Sequence, residues 1–177
     1  MTTKRMRAEA TPASAAVWLA ARLYLAYVWG SYGVQKVLDG WLTGDVMGDL
    51  LSAVADPEIT SAPLSFYTGF AQWMVDAGIT PALSIAIPLT EIAIAVAFLC
   101  GLALLPVALM AVTMNVNFIL SGVAPILFDM RIIALQLLLV AAWRVAGAWG
   151  VGGRFGPSRE AASDRVENMA SLPLTRV

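Results

Sequence analysis

The segment Pro81–Leu120 carries one formal charge, Glu91, in forty consecutive residues. About 20 apolar residues suffice to cross a hydrocarbon core roughly 30 Å thick, so this stretch has the length of two crossings in succession. The break between them falls at Gly101-Leu-Ala-Leu-Leu-Pro106, where glycine and proline permit a tight turn. A carboxylate inside such a helix is costly and turns toward the protein interior or a wet cavity. Glu91 is therefore the first candidate for a functional group.

The rest of the chain extends the membrane reading. Hydrophobic residues make up 59% of it, charged residues only 13%, and mean hydropathy is +0.76. Soluble domains carry about a quarter charged residues, so the composition predicts an integral membrane protein. A first transmembrane helix is expected from Ala13 to about Val34. Arg22 interrupts its apolar run and no clean small-residue cleavage site follows, which favours a retained helix over a signal peptide. Arg22, Trp29 and Lys36 recur every seven residues on it, with Ala26 and Gly33 between them, giving one narrow, cationic face.

Residues 37–81 read as a long extramembrane connection carrying Asp39, Asp45, Asp49, Asp56, Glu58 and Asp76. Within it, Phe66, Phe70, Trp73 and Met74 recur at helical spacing and predict a short amphipathic helix on the membrane surface. Helix three is placed at about Pro106–Leu120, with Asn115 and Asn117, and helix four at about Arg131–Ala148, with Gln136. The expected architecture is all-α: a membrane four-helix bundle over 13–150 with a short extracytoplasmic amphipathic helix, flanked by polar segments at 1–12 and 151–177. Basic residues gather in those flanks (Lys4, Arg5 and Arg7; Arg154, Arg159, Arg165 and Arg176). Basic flanks stay inside, so the chain is expected in a bacterial-type inner membrane, multi-pass, with both termini cytoplasmic.

Several chemistries are excluded within this chain. It has no histidine and one cysteine, Cys100, so the usual histidine haem ligation, a four-cysteine cluster and an internal disulfide cannot be built. No phosphate loop or metal-ligand spacing is present, and a net charge of −1 gives no reason to expect a nucleic-acid partner. No covalently bound cofactor is expected.

Depth along the helices suggests where the polar residues meet. At about 1.5 Å per residue, Arg22 lies roughly 10–13 Å above the cytoplasmic end of helix one, and Glu91 and Asn115 each lie roughly 14 Å from an end of theirs. The three are therefore expected near one level, with Arg22 paired to Glu91. Such a cluster suits an anionic or hydrogen-bonding ligand, or alternatively a structural lock between helices. Pro88, one turn before Glu91, is expected to loosen the helix there.

Gly33-Val-Gln-Lys36, Trp41, Glu91 ahead of Gly101-Leu-Ala-Leu, Met114-Asn115-Val-Asn117-Phe-Ile-Leu-Ser-Gly122 and Arg144-Val-Ala-Gly147-Ala-Trp-Gly150 follow one another in that order. With Arg22, this ordered set resembles the DoxX/DoxD-like family of small four-helix membrane proteins, over roughly residues 16–156. The resemblance implies a membrane subunit of an oxidoreductase that interacts with quinone and is linked to thiosulfate oxidation or oxidative stress. It further implies a partner protein carrying the redox centre, and gives Arg22, Lys36, Glu91 and Asn115 the family's polar role. The residues alone also fit a non-catalytic membrane partner or small-solute carrier.

Overall fold

The computed structural model describes residues 11–60, 62, 64–122, 126–147 and 149–151. Most of the two polar flanks expected at 1–12 and 151–177 lies outside the described residues. Every regular element among those described is helical: α1 (Pro12–Leu38), α2 (Val46–Ala55), α3 (Ser65–Asp76), α4 (Thr80–Cys100), α5 (Leu104–Leu120), α6 (Ile126–Ala141) and α7 (Trp143–Ala146). α4 is long and apolar enough to cross a membrane, and α5 is a shorter apolar helix. The fourth expected helix is broken at Ala142, which leaves helical geometry between α6 and α7.

α1 starts where Pro12 follows Thr11, whose hydroxyl accepts from the Ser14 backbone N–H. A side-chain oxygen there satisfies a donor that the first turn cannot, and proline at the first helical position loses nothing. α4 ends at Gly101, which adopts φ +68°. Glycine occupies this left-handed conformation without the steric cost a side chain would add, so the chain turns sharply into α5.

α1 and α4 run antiparallel. Gly33 meets Pro88 and Ile92, Gly30 meets Ala95, and Arg22 meets Phe98 and Leu99. Gly33 sets this approach: a Cβ there would lie 2.8 Å from Ile92 Cγ1 and 3.0 Å from the Pro88 carbonyl oxygen. The shared core joins Leu25, Val28 and Trp29 of α1 to Ile94 and Phe98 of α4, Ala108 and Ala111 of α5, and Ile132 and Leu139 of α6. Around it polarity is reversed on α4. Ser84 and Glu91 are buried, while Ile85, Leu89, Val96 and Leu99 face outward.

The connection after α1 holds a helix that the sequence reading leaves unassigned. Asp45 caps α2 by accepting from the Gly48 N–H, and it also accepts from the Thr80 hydroxyl at 2.7 Å. The Met47 N–H donates to Ser84 Oγ at 2.9 Å. One carboxylate therefore starts α2 and ties it to the first turn of α4. α2 and α3 then pack together through Leu51, Val54, Tyr67, Ala71 and Met74. Tyr67 donates to Asn117 Oδ1 at 3.1 Å, and burial pushes its phenol pKa up, which keeps it a donor. The expected apolar face of α3 is split: Met74 turns inward, whereas Phe66, Phe70 and Trp73 are exposed, the last two stacked with ring centroids 5.8 Å apart.

Asp45→Ala removes the α2 cap and the latch to Thr80 together. It is expected to cost about 1–2 kcal/mol of stability and to bring cleavage by a soluble protease within 46–55 ahead of the rest of the chain. Cleavage there no faster than in the parent protein would show that Asp45 does not hold the segment.

Candidate functional site

Side chains on an α-helix tilt toward its N-terminus. Arg22 and Lys36 therefore both lean back along α1, and since about 21 Å of helix separates them they reach different depths of α4. Lys36 reaches Glu91: its Nζ donates to Oε1 at 2.5 Å. The Glu91 side chain is 1% exposed and that of Lys36 19%. The ammonium is further enclosed by three rings, with its nitrogen 5.8 Å from the centroid of Tyr32, 5.5 Å from Trp41 and 5.3 Å from Phe118. Aromatic faces attract a cation through their ring quadrupole, so the three rings help hold the ammonium beside Glu91.

Arg22, leaning in the same direction from a point nearer the start of α1, reaches the end of α4, and the expected pairing of Arg22 with Glu91 is corrected here. Its guanidinium donates to the carbonyls of Phe98 (3.0 Å) and Leu99 (3.1 Å) at the end of α4, and to that of Ala146 in α7 (3.1 Å). The last carbonyls of a helix lack internal partners and carry its negative dipole end, which a buried cation satisfies. Gly101 passes over the guanidinium and Gly150 packs against Gly101, each too closely for a Cβ. Arg22 is a structural lock for this corner. Counting rise per residue placed it level with Glu91 because the count ignored the direction in which the side chain leans.

Lys36, Glu91 and Asn115 do converge. They line a cavity of about 260 Å³ together with Val28, Trp29, Trp41, Phe118 and Asp129. α1 supplies Trp29 and Lys36, α4 supplies Glu91, α5 supplies Asn115 and Phe118, and α6 supplies Asp129 and Ile132. Met47, Leu50, Leu51 and Val54 of α2 cover the cavity. The Asn115 amide donates to Gln136 Oε1 at 3.3 Å, bracing α5 against α6.

Sequence reasoning missed Asp129 as a cavity residue, placing it in the connection before helix four. It is 7% exposed and belongs to the first turn of α6. A single acid just ahead of an apolar helical run was the available signal.

Polar groups deep in a protein are nearly always hydrogen-bonded. Four buried atoms here have no hydrogen-bond partner among the described residues: Trp29 Nε1, Glu91 Oε2, Asp129 Oδ2 and Gln136 Nε2. The first three belong to residues lining the cavity, and the fourth to the partner of Asn115. Two are donors and two are carboxylate oxygens. The cavity thus offers mainly apolar and aromatic walls with a few polar residues among them (Lys36, Glu91, Asn115, Ser121 and Asp129), the composition of a small-molecule site. Among the described residues no group of His, Cys, Asp and Glu could hold a metal ion. Compared with known protein families, curated proteins and solved structures, the chain matches none of them.

Proposed function

We propose that the chain is a multi-pass membrane subunit that holds a quinone in the cavity around Lys36 and Glu91. The observation that carries this reading is the unsatisfied mixture of polar atoms there. A quinone accepts hydrogen bonds at its carbonyls, which suits Trp29 Nε1 and the remaining donors of Lys36. Its reduced form donates hydroxyls, which suits Glu91 Oε2 and Asp129 Oδ2. Flat aromatic walls suit either form.

The membrane part of the reading is supported by α4, which among the described residues is the one helix long and apolar enough to span a bilayer, and by its outward apolar face over a polar interior. α1, α5 and α6 would complete a four-helix crossing, with the α2–α3 segment on the outer side. In the bilayer, the exposed rings of Phe66, Phe70 and Trp73 would rest at the headgroup level, where aromatic side chains concentrate. The resemblance to DoxX/DoxD-like proteins points the same way, toward an oxidoreductase subunit. Electrons would come from a partner protein that carries the redox centre, with thiosulfate as the candidate substrate of that partner. Arg22 has no ligand role in this reading, and the alternative of a structural lock applies to it alone.

Titration with menadione tests the site, followed through quenching of the cavity tryptophans Trp29 and Trp41. Glu91→Gln keeps the shape of the side chain but removes the charge and the ion pair. Reduced by dithionite, menadione becomes menadiol, whose hydroxyl can donate to the Glu91 carboxylate; a hydrogen bond to a charged group contributes about 1.5–3 kcal/mol, so menadiol affinity is expected to fall about tenfold to a hundredfold. Saturable quenching by menadiol that Glu91→Gln leaves untouched would move the ligand elsewhere, and the absence of saturable quenching in the parent protein would defeat the quinone reading.

A further inference from the structure

A second depression lies on the outward face of α1, a shallow groove of about 410 Å³ lined by Tyr24, Tyr27, Val28, Ser31, Tyr32 and Gln35. Val28 and Tyr32 line the inner cavity as well, so these two residues border both spaces. Tyr32 is half exposed, and its ring stands 5.8 Å from the Lys36 ammonium inside. A side chain that faces both spaces is a wall between them and also the shortest passage from one to the other. The cavity ceiling is closed on the other side by α2, which Asp45 ties down.

We infer that the cavity ligand is an amphiphile with a long hydrocarbon tail, its ring held beside Lys36 and Glu91 and its tail leaving past Val28 and Tyr32 into the α1 groove. This rests on the proposed quinone reading and adds the tail and its route. The occupant follows from continuity: a cavity of about 260 Å³ has room for a ring system but not for a polyprenyl chain in addition, and the groove shares Val28 and Tyr32 with it. Buried Val28 and the rings of the more exposed Tyr24, Tyr27 and Tyr32 give the groove apolar lining. Small Ser31, whose hydroxyl is turned onto the Val28 carbonyl of its own helix at 2.8 Å, leaves the groove open. Outward positions of α4 instead carry Ile85, Leu89, Val96 and Leu99.

Menadione and phylloquinone share a ring system and differ by the tail, so they separate the two compartments. The experiment titrates both against the full chain in lipid nanodiscs, as parent protein, as Ser31→Trp, and as Leu137→Trp on the outward face of α6. Ser31→Trp fills the groove from an exposed position. It is expected to weaken phylloquinone about tenfold while changing menadione by less than about twofold, and Leu137→Trp is expected to change neither. Phylloquinone affinity untouched by Ser31→Trp, with menadione still bound, overturns the tail route and leaves the ring site standing. A change in oligomeric state on Ser31→Trp without loss of phylloquinone also overturns it, because the groove would then seat protein. Failure of both quinones to bind the parent protein overturns the ring site and the route together.

Discussion

Replacing Arg22 by methionine is expected to destabilise the chain by about 3–4 kcal/mol. Arg22 is 1% exposed, and its guanidinium donates to three carbonyls that come from two different helices. Methionine fills part of the volume but leaves the Leu99 and Ala146 oxygens without that donor and the end of the α4 dipole without a compensating charge. Lysine is expected to recover only part of the loss, since one ammonium cannot copy the planar fork that reaches Phe98, Leu99 and Ala146 at once. The measurement is thermal unfolding of the purified variants in one detergent. Below its unfolding temperature Arg22→Met is expected to bind menadione like the parent protein, because Arg22 does not line the cavity. A variant as stable as the parent but unable to bind would restore Arg22 to the ligand site.

Gly33→Val is the second large effect, and here stability and binding fall together. The added Cβ meets Ile92 Cγ1 at 2.8 Å, the Pro88 carbonyl at 3.0 Å and Glu91 Cβ at 3.1 Å. A side chain can shift, but the Pro88 carbonyl is backbone, so α1 must move off α4 at the level of the ion pair. Overpacking of this kind costs about 1–3 kcal/mol, and the displacement separates Lys36 from Glu91. Gly30→Ala, one turn earlier, is the matched control. Its Cβ would sit 3.4 Å from Ala95 Cβ, an ordinary contact, and it also removes a flexible residue from mid-helix, so it is expected to be neutral or slightly stabilising. Equal unfolding temperatures for the two variants would contradict the close approach at Gly33.

The α1 face was legible from spacing alone, since a seven-residue recurrence of Arg22, Trp29 and Lys36 leaves two of the three fully buried and the third against Glu91. The partners were not legible. Two basic residues on one face tilt in the same direction along α1, and the antiparallel register set by Gly33 decides that Lys36 meets Glu91 while Arg22 meets the end of α4. α2 escaped notice because Gly44 and Gly48 sit among acids and suggest a loop. The signal lay in Asp45, whose carboxylate caps the helix while bonding to Thr80, a contact between residues distant in sequence. The break between α6 and α7 at Ala142 carries no glycine or proline to announce it. α7 is held by Arg22 through Ala146, so its position depends on a residue more than a hundred places earlier.

Where a quinone rests is tested most directly by photolabelling. A ring-labelled photoreactive naphthoquinone is incorporated into nanodiscs with the full chain, and the modified peptides are mapped with and without excess menadione. Labels are expected on cavity residues from separate parts of the chain, among them Trp29 of α1, Trp41 of the connection after it and Phe118 of α5, all suppressed by menadione. Labels confined to the outward apolar positions of α4 and α6, or labels that menadione does not displace, would contradict it.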